Sequence, residues 1–203
     1  MKSVLAFVPN PTDATSFYRA SGPLKALQRK MNFKLERGTE VNWETLKGHD
    51  VVFLQRPFTD IHVKIVDMAK ANGKKVWVDY DDDLFNVPRS NRTYKLYGSQ
   101  RNQNNIAQII GKADKVTVST VALLNQFTAI LELVKRGAPE HLDQLVLDKR
   151  KIILTPNAYD FDFVSHYRKD RSKTAPNKLI TWRGSDTHDK DLLSVTDELK
   201  SVF

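Results

Sequence analysis

Short apolar runs alternate with stretches of helical periodicity along most of the chain. The runs at residues 3–9, 33–35, 50–55, 76–78, 115–118, 151–154 and 179–182 predict seven buried strands. Between the third and fourth strands, apolar residues recur at Ile61, Ile65, Met68 and Ala69, the spacing of an amphipathic helix. Strands that alternate with helices predict an α/β fold: a doubly wound, mainly parallel sheet with helices on both faces.

Capping residues indicate where several of these helices begin and end. Thr59 is a predicted N-cap, and Asn72-Gly73 has the sequence of a left-handed C-cap. After the first strand, turn residues continue into a loop through Arg19, and Ser21 is the predicted cap of the next helix. Thr120 is the predicted cap of the helix that follows the fifth strand.

Composition divides the chain into two unequal parts. Residues 168–178 are rich in charge, Ser, Thr and Pro and predict a linker. Residues 1–167 then form one domain. Residues 179–203 predict one further strand and helix, and we expect them to be the first part of a second domain.

Composition also restricts the chemistry. The 203-residue chain contains no cysteine, which excludes disulfides, thiolate catalysis and Cys-based zinc sites. Its apolar runs are far too short for a membrane span, and the amino terminus resembles a strand more than a signal peptide, so we expect a cytoplasmic protein. The net charge of +8 favours anionic partners such as nucleic acid, sugar phosphates or an anionic membrane surface.

Four carboxylates follow the fourth strand: Asp79, Asp81, Asp82 and Asp83. Clustered acids repel one another, so we expect the strand to end there. The carboxyl ends of parallel strands are where open sheets bind ligands. Three interpretations remain open: a Mg²⁺ or Mn²⁺ site, a carboxylate that orients a sugar hydroxyl or acts as a base, and a solvated acidic turn.

The other site candidates share a position after a predicted strand: Tyr18, Arg19, Arg56 and Asn157. After the seventh strand, Gly184-Ser185 forms a turn that opens a helix and offers backbone N–H groups to phosphate, with His188 close by. His62 lies within a predicted helix, and we expect it at the surface.

Some common motifs are missing from the sequence. There is no P-loop, no Gly-x-Gly-x-x-Gly and no Gly-x-Ser-x-Gly elbow, which argues against a nucleotide hydrolase, a dehydrogenase or a serine hydrolase. The stretch 89–101 instead interleaves basic residues with Tyr94 and Tyr97, a composition suited to nucleic-acid binding.

Four segments resemble one enzyme family, in the family's order. They are Tyr-Arg with Gly-Pro-Leu at 18–24, Val-Asp-Tyr-Asp-Asp-Asp-Leu at 78–84, Thr-Pro-Asn-Ala-Tyr-Asp at 155–160, and 180–188 with Asp191-Leu192. Together they resemble GT-B glycosyltransferases of the retaining, sucrose-synthase-like group, including enzymes of tailed phages and bacterial surface-polysaccharide clusters. Ala158 replaces the glycine that is usual in the third segment.

The resemblance implies two Rossmann-like domains that face a cleft. The amino-terminal domain (1–167) would bind the acceptor, and the carboxyl-terminal one would bind a nucleotide sugar as co-substrate, with no cofactor and no metal. It implies catalytic roles for Asp81, Asp82 and Asp83, and substrate contacts for Tyr18, Arg19, Arg56, Asp79 and Asn157. It places Arg183, Gly184, Ser185 and His188 beside the donor phosphates.

Departures from the family change what we expect of this chain. Residues 179–203 are too few for a donor domain, and the family's Arg/Lys pair that stabilises the leaving diphosphate has no counterpart. We therefore expect a truncated chain without transferase activity, whose apolar tail could mediate association. DNA and lipid-linked sugar are both open as acceptors. The alternative is a non-catalytic nucleic-acid- or glycan-binding module with the same fold.

Overall fold

The computed structural model describes residues 2–10, 12–38, 42–137, 151–158 and 193–202. It is an α/β structure built on a six-stranded sheet whose order is β2-β1-β3-β4-β5-β6, with every neighbouring pair parallel. The strands are β1 (Lys2–Phe7), β2 (Phe33–Arg37), β3 (Val51–Gln55), β4 (Lys75–Tyr80), β5 (Lys115–Val118) and β6 (Ile152–Leu154). The predicted Rossmann-like, doubly wound sheet is confirmed.

Helices connect these strands. They are α1 (Ala14–Ser16), a π-helical turn (Phe17–Ser21), α2 (Gly22–Lys30), α3 (Trp43–Lys47), α4 (Asp60–Ala71), α5 (Tyr94–Tyr97), α6 (Gln100–Lys112), α7 (Val121–Gly137) and α8 (Thr196–Val202). No helix in the described part of the chain is long and apolar enough to cross a membrane. The predicted linker at 168–178 and the seventh strand at 179–182 lie outside the described residues.

The two faces of the sheet carry separate apolar clusters. On one face, strand residues such as Val52, Val78 and Val116 pack in the cluster that includes the buried positions of α4, α6 and α7. On the other face, Phe53 and its neighbours pack with Leu24 of α2. Alternate side chains of a strand point to opposite faces, so a strand covered on both sides reads as a continuous apolar run.

The strand order reverses between β1 and β3. The chain passes from β1 to β2 in one direction along the sheet, and every later strand is added in the opposite direction. In open sheets of this kind, ligands bind outside the carboxyl ends of the strands at such a reversal. The π-helical turn follows β1, and Arg56 follows β3, so both lie at this edge.

The segment after β1 differs from the predicted loop. Asp13 is the N-cap, since its Oδ1 accepts a hydrogen bond of 2.6 Å from the Ser16 N–H, and helical structure continues from there into α2. Ser21 makes no capping hydrogen bond. A Cβ at Gly22 would lie 2.6 Å from the Phe17 carbonyl oxygen, so glycine permits the close approach of the two turns.

The predicted ends of α4 are correct, but the expected exposure of His62 is wrong. Thr59 caps the helix, and Gly73 adopts a left-handed φ of 69° just beyond it. His62 is half-buried, and its Nδ1 accepts hydrogen bonds of 3.1 Å from the Phe58 and Thr59 N–H groups. Burial lowers the pKa of His62 to about 4, so its imidazole is neutral at pH 7.

Candidate functional site

A buried ion pair joins the π-helical turn to β4. The Arg19 guanidinium donates to both Asp79 carboxylate oxygens, with Nε–Oδ2 at 3.1 Å and Nη2–Oδ1 at 2.5 Å, and each side chain is only 2% exposed. Thr117 of β5 donates a third hydrogen bond to Asp79, with its Oγ1 at 2.5 Å from Oδ1. Because this carboxylate is paired, β4 continues through Asp79 to Tyr80, and it ends before Asp81, within the acidic stretch where we expected it to end.

Asp79 occupies an environment with opposing electrostatic effects. Burial raises the pKa of this carboxyl group above its usual range, while Arg19 and Thr117 act to lower it. A carboxylate inside the protein is retained when it is both paired and hydrogen-bonded. The side chain therefore has the geometry of a fixed structural anion at the sheet edge, and only 2% of it is exposed to solvent.

Arg19 also reaches the end of β6. Its Nη1 donates to the Thr155 carbonyl oxygen and lies 3.3 Å from Asn157 Oδ1. These partners are separated from Arg19 by 136 and 138 residues, and Asp79 is separated from it by 60. One guanidinium thus holds together the segments that follow β1 and β6 and the end of β4.

A second, more accessible pair lies beside the first. Arg56 donates to Asp81 through Nε–Oδ1 at 3.0 Å and Nη2–Oδ2 at 2.9 Å, and its Nη2 is 3.2 Å from Asp82 Oδ2. Arg56 has a left-handed φ of 51°, and its N–H donates to the Asp79 carbonyl oxygen at 2.8 Å. A non-glycine residue in this region of φ is strained, and such strain concentrates at functional sites.

The charges of this second pair are coupled. Burial raises the pKa of Asp81, Arg56 opposes that shift, and the neighbouring Asp82 reinforces it. For Arg56, burial acts to lower the pKa of the guanidinium, but Asp81 and Asp82 outweigh burial and raise it. Asp82 is the accessible member, with 59% of its side chain exposed, against 12% for Asp81 and 21% for Arg56.

Asp83 has a local role in its turn. Its Oδ1 accepts from the N–H groups of Phe85 and Asn86 at 3.1 and 3.2 Å, and its Oδ2 accepts from the Asn86 side chain at 2.8 Å. Asp79, Asp81 and Asp83 therefore have different partners, and Asp82 shares Arg56 with Asp81. No group of three His, Cys, Asp or Glu side chains in the described ranges is arranged to hold a metal ion.

Several polar residues that support the site were not predicted from the sequence. Thr117 also accepts from Trp77 Nε1 at 3.0 Å, Ser119 Oγ donates to the Asp81 carbonyl oxygen at 3.1 Å, and Ser16 donates to the buried Gln55 at 2.9 Å. Thr117 lies between two buried valines of β5, so a polar residue inside an apolar strand was an available signal. Gln55 gives the same signal at the end of β3.

The remaining candidates are placed less centrally. Tyr18 is 41% exposed, and its ring lies edge-on to Phe17. Arg183, Gly184, Ser185 and His188 lie outside the described residues. In the stretch 89–101, Arg101 pairs with Asp60, and Tyr97 packs against Phe58 with ring centroids 4.9 Å apart.

The described structure thus defines a Rossmann-like α/β domain with two arginine–carboxylate pairs at the carboxyl edge of its sheet. No family model and no curated protein matches the chain.

Proposed function

We propose that this chain is the acceptor-side half of a glycosyltransferase that transfers a sugar from a nucleotide sugar. The observation that carries the proposal is the convergence at Arg19. The segments containing Arg19, Asp79 and Asn157 resemble GT-B motifs, and in the fold they are joined by the hydrogen bonds of one side chain. Weak motifs that are distant in sequence gain support when they meet at one edge of a sheet of the appropriate class.

The two arginine–carboxylate pairs have different roles in this proposal. Arg19–Asp79 is buried and positions the strand ends. Asp82 is exposed and Arg56 is partly exposed, so both can meet a substrate, and Asp81 lies directly beside them. Carboxylate oxygens accept hydrogen bonds from sugar hydroxyls, and a guanidinium attracts an anionic acceptor. Asp82 is the proposed hydroxyl-binding group, and Asp81, whose pKa is raised by burial, is the proposed proton acceptor.

The nucleotide sugar belongs to the other side of the proposed cleft. Arg183, Gly184, Ser185 and His188 are the proposed contacts of its phosphates, and no metal or cofactor is part of the proposal. We therefore expect the 203-residue chain to bind UDP- and GDP-sugars only at roughly millimolar concentration, about −4 kcal/mol. Calorimetry measures this directly, and micromolar binding would show that the donor site lies in the first domain.

Acceptor binding is the decisive test. Titration of a panel of oligosaccharides and lipid-linked sugar analogues, followed by NMR, should shift the resonances of residues around Arg56 and Asp82. Asp82→Asn should weaken that binding. The control Asp67→Asn removes an exposed carboxylate that pairs with Lys112 on α6, and it should have no effect on binding. If no acceptor perturbs the Arg56–Asp82 region, the proposed acceptor site is wrong.

A non-catalytic nucleic-acid-binding module is the second candidate. It is favoured by the net charge of +8 and by the exposed Arg89 and Lys95 in the stretch 89–101. DNA binding whose affinity falls steeply with salt, and which is lost in Arg89→Gln/Lys95→Gln but not in Asp82→Asn, would support it. Binding lost in both variants would instead identify DNA as the acceptor.

A further inference from the structure

A cavity of about 450 Å³ lies on the β2 side of the π-helical turn. Its walls come from the carboxyl ends of β1 and β2, from the turn and from α2. Five of its lining residues are apolar: Ala6, Val8, Phe17, Leu24 and Leu35. Cavities of about 300–1,000 Å³ with mainly apolar walls are typical of small-molecule sites.

Two cations line this cavity without a partner in the described part of the chain. Lys25 on α2 and Arg37 at the end of β2 both line it, both are exposed, and neither makes a side-chain hydrogen bond or ion pair within the described residues. Most other cations near this edge are paired: Arg19 with Asp79, and Arg56 with Asp81. Arg29 and Glu36 also line the cavity, and Glu36 pairs with Lys34, so Lys25 and Arg37 leave net positive charge beside an apolar space.

We infer that this cavity binds a small amphipathic anion, with an aryl or short acyl body and a single phosphate or carboxylate group. The apolar walls would take up the body, because removing apolar surface from water is favourable. The head group would remain near the exposed Lys25 and Arg37, where an ionised acceptor makes charge-assisted hydrogen bonds. A neutral sugar would leave both cations without a partner and would gain little from the apolar walls.

This site is separate from the proposed acceptor site. Both use the π-helical turn, but Arg19 contacts β4 and the residues after β6, whereas Phe17 and Ser21 line the cavity beside β2. The inference does not depend on glycosyl transfer, since none of the cavity residues belongs to the Arg56–Asp82 group.

NMR titration with phenyl phosphate tests the inference. Phenol and inorganic phosphate, the two halves of this ligand, are the controls. Phenyl phosphate should bind with a Kd of about 1 mM or tighter and should perturb Leu24, Leu35 and Val8, while each half binds at least about tenfold more weakly. Octanoate should shift the same resonances. Equal binding of phenol and phenyl phosphate, perturbations elsewhere on the surface, or no binding by either anion would overturn the inference.

Two variants test separately the contribution of the two cations and that of the apolar cavity. Lys25→Gln/Arg37→Gln should weaken phenyl phosphate about tenfold, whereas Lys30→Gln, an exposed cation of α2 outside the cavity, should change the affinity less than about twofold. Val8→Trp fills the cavity and should abolish binding, and Val121→Trp is its control on α7, where Val121 is 58% exposed. Thermal unfolding shows whether each variant is folded. Equal weakening by Lys30→Gln, or full binding by a folded Val8→Trp protein, would also overturn the inference.

Discussion

Removing one member of the buried Arg19–Asp79 pair should destabilise the protein strongly. Asp79→Asn leaves a guanidinium that is 2% exposed without its counter-ion. Breaking such a pair costs about 3–5 kcal/mol, a large share of the roughly 5–15 kcal/mol that stabilises a typical protein. The melting temperature should fall by roughly 6–20 °C.

The two single variants should respond differently to pH. In Arg19→Met, Asp79 remains buried without its cation, so its folded-state pKa rises further above the unfolded value of about 3.9. The folded state then binds more protons than the unfolded state between those two pKa values, and stability falls as pH rises through that window. The penalty should therefore be small near pH 4 and reach its maximum above the folded pKa. Asp79→Asn has no titrating group at this position, whereas wild-type stability falls as pH rises through the raised pKa of Asp79, so the Asp79→Asn penalty should shrink as pH rises.

Urea unfolding from pH 4 to pH 8 measures these differences in a double-mutant cycle. The double variant Arg19→Met/Asp79→Asn should be more stable than the sum of the single effects predicts, because it removes both charges. The exposed pair of Lys112 and Asp67 is the control, and Asp67→Asn should cost less than about 1 kcal/mol. Additive single effects, or an Arg19→Met penalty that does not change with pH, would refute the reasoning.

Three further predictions concern single side chains. The folded pKa of His62, about 4, is below its unfolded value, so the unfolded state binds more protons between pH 4 and 6.5. The free energy of unfolding should therefore rise with pH across that range, by no more than about 3 kcal/mol. In His62→Gln, which keeps an acceptor at the third helical position, urea midpoints should lose this pH dependence. Asp82→Asn should change the free energy of unfolding by less than about 0.5 kcal/mol, whereas Asp81→Asn should lower it by about 1–3 kcal/mol because it weakens the pair with Arg56. Equal losses of stability in denaturant titrations would show that the different exposure of the two acids does not determine their contributions. Gly73→Ala should destabilise the protein by about 1 kcal/mol because the φ of Gly73 is 69°. Gly48→Ala should be neutral or stabilising, because Gly48 has a φ of −74° and open space around it. An equal fall in melting temperature for the two variants would contradict this prediction.

Local patterns in the sequence determined the elements and their ends. The apolar runs predicted all six described strands, and Thr59 and Gly73 defined α4, because capping and left-handed turns depend on residues close in sequence. The placement of Arg19, Arg56 and Asp79 at one edge also followed from the sequence, since parallel strands present their carboxyl ends on the same side of a sheet.

Only the tertiary structure decided what each side chain contacts. Arg19 and Asp79 are 60 residues apart, and their pairing depends on the order of the strands, which no local pattern contains. The acids at 79–83 looked like one repelling cluster in sequence. In the fold, one carboxylate is neutralised by Arg19, another by Arg56, and Asp83 holds a turn. His62 is a half-buried, neutral cap for the same reason: the free energy of a charged or polar group depends on its neighbours in space, and long-range packing determines those neighbours.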